Sequence, residues 1–227
     1  MEAYKQRFIE FMVSVGALKF GEFTLKSGRK APFFINTGCY HDGALLWRLG
    51  QYYAQALVDG LADVRYNVLF GPAYKGIPLV SATAIALAAN HEVDVGFAFD
   101  RKEAKSHGEG GNLIGHPFQD GDRVVLIDDV VTSGTSVRAS VKILQAAANV
   151  QVVGLIVSVD RQERGLETER SALIDLRDTL GIKTIAIVTI DEIVAHLHNR
   201  VLDDNDIVLN DAMFAAIQAY RQKFGAQ

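Results

Sequence analysis

The chain contains very little cysteine and no long hydrophobic run. Its 227 residues include a single cysteine, Cys39. One thiol excludes an intramolecular disulfide and is typical of proteins in a reducing cytoplasm. No uninterrupted apolar stretch approaches the length of a membrane span, and charged residues from Glu2 to Glu10 interrupt any apolar region of a signal peptide. We therefore expect a cytoplasmic protein without a membrane segment.

An excess of positive charge is also missing. The formal net charge is −4, which argues against a surface built for general nucleic-acid binding. Repeats and low-complexity linkers do not occur, and 49% hydrophobic residues suffice for a substantial core. We predict one domain over residues 1–227, with a hood of helix and hairpin over about 1–40, an α/β core over about 41–200, and a C-terminal helix within 201–227.

Residues 124–136 contain the most informative pattern. Four branched apolar residues, Val124 to Ile127, predict a strand buried on both faces. Two carboxylates, Asp128 and Asp129, follow where that strand should end. A loop of small hydroxyl residues around Gly134 then opens a helix whose apolar positions recur at helical spacing. Unpaired backbone N–H groups at the start of such a helix suit a phosphate.

This loop differs from the common nucleotide-binding loops. Neither Gly-x-x-x-x-Gly-Lys-Ser/Thr nor Gly-x-Gly-x-x-Gly occurs in it. Two carboxylates beside a phosphate would repel a second phosphate, so they should face ribose hydroxyls or Mg²⁺. The acid pair alone would indicate only an exposed strand end. In this order, acids and loop resemble the signature of the type I phosphoribosyltransferases, in which the acids hold ribose hydroxyls and the loop holds the 5-phosphate of phosphoribosyl pyrophosphate.

The segment from residue 25 to residue 35 resembles the orotate-specific branch of that family. Leu-Lys-Ser-Gly-Arg-Lys followed by Ala-Pro-Phe-Phe-Ile predicts a hairpin with a cationic turn. The resemblance implies that Lys26 contacts the donor and that Phe34 and Ile35 line the orotate site. The family often has a second aromatic where this chain has Ile35, so stacking there would be lost while backbone contacts would survive.

A second strand–loop–helix unit precedes the first. A short apolar strand at residues 68–70 leads into Gly-Pro-Ala-Tyr-Lys-Gly and then into a helix rich in Ala, Leu and Ile. A lysine in such a loop indicates another anion site. By resemblance it is the pyrophosphate loop, with Tyr74 and Lys75 as binding residues.

Residues 100–112 change the character of the chain. They carry three fixed cations, a histidine and three glycines, with no apolar side that could pack. We expect this segment to be mobile when empty and ordered by an anion. A solvated charged loop would explain the composition, but Arg-Lys-x-x-Lys-x-His-Gly-Glu resembles the catalytic lid of orotate phosphoribosyltransferases. In that family the lid reaches across a two-fold dimer, which implies a homodimer with Arg101, Lys105 and His107 entering the partner's site.

Charged residues also follow the strand predicted at residues 152–159. An arginine beside a strand end can form a two-pronged contact with a substrate carboxylate, and the resemblance assigns Arg161 to orotate. Nearer the C-terminus, His196 and His198 lie in a predicted polar helix. Two residues apart, they should point to different sides and form no metal pair.

Strands that alternate with helices predict an α/β fold with a mainly parallel sheet flanked by helices, its phosphate loops gathered at the carboxyl ends of the strands. The resemblance spans residues 20–190 and implies the type I phosphoribosyltransferase fold with a small N-terminal hood. It also implies transfer of the phosphoribosyl group from 5-phospho-α-D-ribose 1-diphosphate to orotate, giving orotidine 5′-phosphate and diphosphate in de novo UMP biosynthesis. Mg²⁺ is the implied cofactor, held mainly through the substrate without dedicated protein ligands.

Two alternatives stay open. A phosphoribosyltransferase for another base should lack the Phe33-Phe34 hairpin and Arg161. A nucleotide-binding regulator on the same fold tends to lose the cations of the lid and to gain a DNA-binding module.

The resemblance implies three sets of site residues. Catalytic roles belong to Lys105, His107, Asp128 and Asp129. Phosphoribosyl pyrophosphate binding belongs to Lys26, Tyr74, Lys75, Arg101, Lys102, Lys105, His107, Asp128, Asp129, Val130, Val131, Thr132, Ser133, Gly134, Thr135 and Ser136. Orotate binding belongs to Phe34, Ile35, Thr132 and Arg161.

Overall fold

A computed structural model describes residues 1–25, 28–102, 112–165, 169–202 and 207–226. By its internal contacts the chain divides into two compact units. The first contains residues 1–41, 159–171 and 188–227, and the second contains residues 42–158 and 172–187. The interpretation of the chain as one domain, with boundaries near residues 40 and 200, remains a prediction. Among the described residues, the helices are all too short or too polar to span a bilayer.

The first unit is built from helices and one hairpin. Its helices are α1 (Ala3–Ser14), α6 (Ile190–Leu197) and α7 (Asp211–Phe224), and its hairpin pairs β1 (Leu18–Thr24) with β2 (Lys30–Ile35) in antiparallel register. The helix and hairpin predicted for the N-terminal hood are therefore present. Helix α7 packs on β2, where the rings of Tyr220 and Phe33 are nearly perpendicular, with 6.0 Å between their centroids.

One prediction for the first unit is wrong. The helix that carries His196 is amphipathic rather than polar, because Ile190, Ile193 and Leu197 are buried along it. The His196 ring is buried too, with its Nε2 atom 2.9 Å from Oε1 of Glu10. Spacing alone identified the helix but not the side that packs.

The second unit contains a six-stranded sheet. Its strands are β3 (Val68–Phe70), β4 (Gly96–Asp100), β5 (Leu113–Gly115), β6 (Arg123–Ile127), β7 (Gln151–Asp160) and β8 (Lys183–Thr189), in the order β5-β4-β3-β6-β7-β8. Strand β3 pairs in parallel with β4 and β6, and β6 pairs in parallel with β7, whereas β5 is an antiparallel edge. Among the residues that the structure describes, four helices accompany the sheet: α2 (Gly43–Gly60), α3 (Gly76–His91), α4 (Thr135–Ala147) and α5 (Ala172–Leu180). The predicted fold class is confirmed.

Strand β6 shows why the sheet is covered on both faces. Its residues Val124 to Ile127 are all at most 1% exposed. Val124 and Leu126 belong to a core cluster with residues of α4 and α5. Because side chains alternate along a strand, Val125 and Ile127 face the opposite side, where α3 packs against the sheet.

Three local features of this unit differ from the sequence-based expectation. The apolar run from Val93 to Phe99 predicts a strand, but β4 begins only at Gly96, because Glu92 ends α3 in the left-handed conformation and a short connection follows. Strand β5 has only three residues, too few for a periodic signal. Helix α5 was not predicted; its buried residues are Leu173 and Leu176, a short pattern in a largely charged segment.

Candidate functional site

The backbone of the acid pair is held by side chains from other elements. The Asp128 carbonyl accepts a hydrogen bond from the Tyr53 hydroxyl at 2.9 Å. The Asp129 carbonyl accepts from the Ser158 hydroxyl at 2.6 Å and from the Ser158 N–H at 2.9 Å. Helix α2 and strand β7 thus fix the point at which the chain leaves β6. The two carboxylates are aimed by tertiary contacts rather than by the loop alone.

Each carboxylate has defined partners. Oδ1 of Asp129 accepts from the Val130 N–H at 2.8 Å, and its Oδ2 accepts from Nζ of Lys75 at 2.8 Å. Oδ1 of Asp128 accepts from the Asp129 N–H at 2.9 Å, and its Oδ2 accepts from the Ser136 hydroxyl at 3.3 Å. The pair with Lys75 joins the two loops that the sequence predicted as separate anion sites.

The two acids also affect each other electrostatically. Burial, followed by the nearby charge of Asp129, raises the pKa of Asp128 to about 6. Hydrogen bonds from the Asp129 N–H and the Ser136 hydroxyl oppose that shift. The carboxylate is therefore mainly ionised at neutral pH, but it is poorly solvated. Such a group favours hydroxyl donors or a developing positive charge as its neighbour.

The hydroxyl loop has the geometry of an anion-binding turn. Gly134 is buried and left-handed, with φ +72°, and the first residue of α4 follows it directly. A side chain at Gly134 would also place Cβ 3.0 Å from a δ-carbon of Leu176. The small polar residues of the loop are exposed: Thr132, Ser133, Thr135 and Ser136. Val131, by contrast, packs against the core and anchors the loop, while Val130 supplies a backbone N–H bound to Asp129.

The second loop is closed by two glycines. A Cβ at Gly71 would lie 2.2 Å from the carbonyl oxygen of Gly76, so only glycine allows this approach. Buried Asp100, at the end of β4, accepts from the Ala73 N–H at 2.6 Å, and the Ala73–Tyr74 peptide bond is cis. Tyr74 and Lys75 are exposed at the tip of this loop.

Both loops line one cleft of about 530 Å³. It lies where β3, β4 and β6 end at their carboxyl side, the location predicted for the phosphate loops. The cleft brings together these predicted site residues: Tyr74, Lys75, Arg101, Lys102, Asp128, Asp129, Val130 and Ser136. Cations from two segments therefore share a wall with the acid pair.

A second cavity of about 590 Å³ lies at the other end of the strands. It is lined by residues at the amino ends of β6, β7 and β8, among them Arg123, Gln151 and Lys183. None of the predicted site residues that the structure describes lines it. Its size alone does not make it a functional site.

The predicted orotate residues of the first unit have their own arrangement. Phe34 is 37% exposed, and its ring stacks on Phe23 with centroids 5.5 Å apart. The Arg161 guanidinium lies 5.0 Å from the centre of the buried Phe33 ring and pairs with Glu163. Ile35 is half-buried at the end of β2. Three further predicted residues, Lys26, Lys105 and His107, lie outside the described residues.

Several supporting residues were missed by sequence reasoning. The spacing of Tyr53 indicates only the apolar face of a helix, and Ser158 lies inside a continuous apolar strand. Asp100 was treated as the first residue of the charged segment rather than as an anchor for the second loop. Only Asp100 gave a usable signal, since it is a carboxylate at a strand end.

Comparison with known proteins places these features in a family. A phosphoribosyl transferase domain matches residues 45–177. Orotate phosphoribosyltransferase of Lachnoclostridium phytofermentans is 51% identical over 227 residues, which is 100% of both chains, and that of Clostridium beijerinckii is 48% identical over the same length. A crystal structure of orotate phosphoribosyltransferase from Francisella tularensis shares 39% identity and a TM-score of 0.83, covering 97% of this chain and 100% of that one.

The acid pair, the hydroxyl loop and the second anion loop all lie inside the matched domain, and the full-length relatives extend over the hairpin and Arg161. The chain belongs to the orotate phosphoribosyltransferase family.

Proposed function

We propose that this protein transfers the phosphoribosyl group of 5-phospho-α-D-ribose 1-diphosphate to orotate, releasing diphosphate and forming orotidine 5′-phosphate for UMP biosynthesis. The observation that carries this proposal is the single cleft in which Asp128 and Asp129 meet Lys75 and the cations that follow β4. That arrangement pairs a site for a cationic sugar with a site for an anionic leaving group. Full-length similarity to orotate phosphoribosyltransferases supports orotate as the acceptor.

The functional groups of phosphoribosyl pyrophosphate, the donor substrate, determine which part of the site each would bind. Its 5-phosphate would bind the backbone N–H groups and hydroxyls of residues 131–136 at the start of α4. Its ribose hydroxyls would donate to Asp128 and Asp129, which are acceptors when ionised. Left-handed Gly134 supports the phosphate role because it allows close approach of the backbone.

The diphosphate is assigned to the cationic side of the cleft. Tyr74, Lys75, Arg101 and Lys102 line that side. By family resemblance Lys26, Lys105 and His107 add to it. Lys75 has a second role, because its ammonium group pairs with Asp129 and so reduces the repulsion between the acid pair and an anionic donor.

The chemistry requires charges of both signs to be stabilised at once. The bond between C1 of the ribose and the diphosphate oxygen breaks, its electron pair leaves with diphosphate, and C1 bonds to a ring nitrogen of orotate. Positive charge that develops on the ribose ring faces ionised Asp128 and Asp129, while the cations receive the leaving group. Orotate is already anionic and delocalised, so the reaction needs no strong general base.

Mg²⁺ is the proposed cofactor. Asp128 and Asp129 supply the oxygen donors that hard cations prefer. Within the described part of the chain, no cluster of three or more His, Cys, Asp or Glu could hold a metal. This donor set fits an ion that takes most of its ligands from the donor substrate. When bound, Mg²⁺ would neutralise charge on the departing diphosphate.

Orotate recognition is assigned to Phe34, Ile35, Thr132 and Arg161. Orotate differs from uracil by a carboxylate, and a guanidinium can bind a carboxylate through two parallel hydrogen bonds. Arg161 is mostly shielded from water, with a side chain 13% exposed, and this strengthens such a contact. Partly exposed Phe34 offers an aromatic surface for the ring.

A homodimer with a shared lid is the proposed assembly, in a cytoplasmic protein. Helix α3 is apolar on most of its surface, and its Ile85 is 64% exposed. On the adjacent strand β4, Phe97 is 40% exposed. A second copy of the chain is the occupant that this apolar surface suits, because the family lid acts across a two-fold axis. Nucleic acid and membrane are not among the proposed partners.

The assay that tests the function follows the loss of orotate absorbance with phosphoribosyl pyrophosphate and Mg²⁺. Uracil and purine bases serve as competing acceptors in parallel reactions. We expect turnover of orotate with a preference over uracil of about 10²-fold or more, since a charge-assisted pair contributes a few kcal/mol. Equal turnover of uracil and orotate would contradict the orotate assignment, and turnover of a purine base alone would indicate the alternative transferase. Binding without turnover would favour the regulator.

A further inference from the structure

Arg161 has a carboxylate partner that neither motif nor resemblance assigned. Oε1 of Glu163 accepts from Nε of Arg161 at 3.1 Å and from its Nη2 at 2.6 Å. Both side chains are shielded, at 13% and 15% exposure. The ion pair is therefore formed in a largely dry environment, where it constrains orientation more strongly than a surface pair does.

The contact occupies only one edge of the guanidinium. Glu163 takes the edge formed by Nε and Nη2, and the described residues place no hydrogen-bond acceptor on Nη1. A guanidinium carries five N–H donors in a planar fork. The edge formed by Nη1 and Nη2 therefore keeps two parallel donors for a second carboxylate.

The loop that carries the pair is anchored on several sides. Asp160 accepts from the Gln162 N–H at 2.8 Å, and Gln162 is left-handed, with φ +50°. The Gln162 carbonyl accepts from the Ala226 N–H at 2.8 Å, and Glu163 forms a β-bridge with Gly225. These contacts fix the backbone between Arg161 and Glu163, so the pair is preorganised rather than formed on binding.

Aromatic rings complete the surroundings of the pair. Phe33 lies under the guanidinium, and the Tyr220 ring is nearly perpendicular to the Phe33 ring. Burial, followed by the negative charge of Glu163, raises the pKa of Tyr220 to about 12. Its phenol stays neutral and adds no second anion to compete for Arg161.

We propose that Glu163 is a positioning residue for substrate selection: it holds the guanidinium of Arg161 against Phe33 so that the Nη1–Nη2 edge is presented to the carboxylate of the acceptor. This inference rests on the proposed function, in which Arg161 binds orotate. It assigns Glu163 no contact with substrate and no part in donor binding.

The test compares Glu163→Ala and Glu163→Gln with the unaltered enzyme, using steady-state kinetics for both substrates. Ala removes the acceptor, so the guanidinium can rotate, and KM for orotate should rise about tenfold or more while KM for the donor stays within about twofold. Gln keeps an acceptor oxygen at the same reach, so its KM for orotate should return most of the way to the original value. The preference for orotate over uracil should fall strongly in Glu163→Ala and only slightly in Glu163→Gln.

A matched control comes from the same loop region. Arg164 and Glu169 also form an Arg–Glu pair, at 2.7 Å, but their side chains are 36% and 63% exposed. Glu169→Ala should leave both KM values and the orotate preference unchanged. Melting temperatures of all variants separate loss of positioning from loss of folded protein.

Three outcomes would overturn the inference. If both Glu163 variants bind orotate more tightly, the carboxylate only weakens Arg161 by neutralising its charge. If KM rises equally for both substrates, Glu163 has a structural role. If Glu163→Ala behaves as the unaltered enzyme, Arg161 needs no positioning. Absence of orotate turnover in the unaltered protein would instead contradict the proposed function itself.

Discussion

At the scale of single residues, the site contains a charged carboxylate, Asp128, whose ionisation makes the folded protein less stable. Asp128 is ionised at neutral pH although burial and Asp129 both raise its pKa. A carboxyl group whose pKa is higher in the folded than in the unfolded protein destabilises the folded state when it is ionised. Ionised Asp128 therefore lowers the stability of the empty protein, a cost that fits the binding role proposed for it.

Replacement of Asp128 by Asn should reveal that cost. The ordinary Asp pKa of 3.8 rises to about 6 on folding, so the destabilisation is absent below pH 3.8, develops between these values and is complete above pH 6. Asp128→Asn should stabilise the empty protein by on the order of 2 kcal/mol at pH 7.5, or roughly 4–8 °C in Tm, and should give no gain at pH 3.5. Thermal melts at both pH values measure the difference.

The control for that experiment is Asp120→Asn. Asp120 is exposed, and its Oδ1 accepts from the Asn149 N–H at 2.8 Å, which an amide oxygen can also do. Its Tm should be unchanged at both pH values. A gain for Asp128→Asn that persists at pH 3.5 would mean that charge is not the cause.

Arg161 gives the second prediction at this scale. Arg161→Ala removes the proposed partner of the orotate carboxylate and leaves the largely shielded Glu163 without its cation. We expect kcat/KM for orotate to fall by about 10²-fold or more, while donor affinity stays nearly unchanged. Initial rates with each substrate varied in turn measure both values. A parallel loss of donor affinity would contradict a specific role in orotate binding.

At the scale of elements, two strand–loop–helix units depend on glycine for different reasons. Gly134 is needed for its left-handed backbone before α4. Gly71 and Gly76 are needed because their backbones touch across the other loop. Sequence spacing predicted both loops, but only the folded chain shows that one glycine is conformational and the others are steric.

A substitution at Gly134 should therefore impair both folding and donor binding. Gly134→Ala places a β-carbon in the left-handed region and against Leu176, at an expected cost of about 1–2 kcal/mol. Because the loop must shift, KM for phosphoribosyl pyrophosphate should rise about tenfold. Thermal melts and steady-state kinetics measure the two effects.

Gly121 supplies the matched control. It too is left-handed, with φ +89°, but a β-carbon there would meet nothing within 4 Å. Gly121→Ala should lose a similar stability through backbone strain alone and leave KM for the donor unchanged. Equal KM values for Gly134→Ala and the unaltered enzyme would rule out a phosphate role for this turn.

At the scale of the whole molecule, the proposed lid makes a quantitative prediction for the dimer. One variant carries Lys105→Ala, and another carries Asp128→Asn with Asp129→Asn; each should be nearly inactive alone. In a mixed dimer, one site combines the intact pocket of one chain with the intact lid of the other. Random mixing makes about half of the dimers mixed, so about a quarter of all sites should recover.

Turnover after mild dissociation and reassociation measures this recovery. Size-exclusion chromatography of differently tagged chains would show whether mixed dimers have formed. If mixed dimers form and stay inactive, each lid serves its own chain and the shared site is wrong.

The local structure of several segments follows from residues that are neighbours in the sequence. A buried strand, an acid pair, a hydroxyl loop and an amphipathic helix follow one another within residues 124–147, so periodicity and residue chemistry predict them together. The same holds for the hairpin at residues 18–35 and the loop after Phe70. Short elements with few buried positions, such as β5 and α5, carry too little pattern to be predicted.

Only the tertiary structure decided which side chains meet. Lys75 reaches Asp129, Asp100 holds the Ala73 N–H, and Ser158 fixes the Asp129 carbonyl, all across separate strands of the sheet. Glu163 lies close to Arg161 in sequence, yet a left-handed Gln162 and the contacts of that loop decide that the two pair. Sequence spacing restricts the local structure that neighbouring residues can form. Strand order and packing determine which distant groups come within hydrogen-bonding distance.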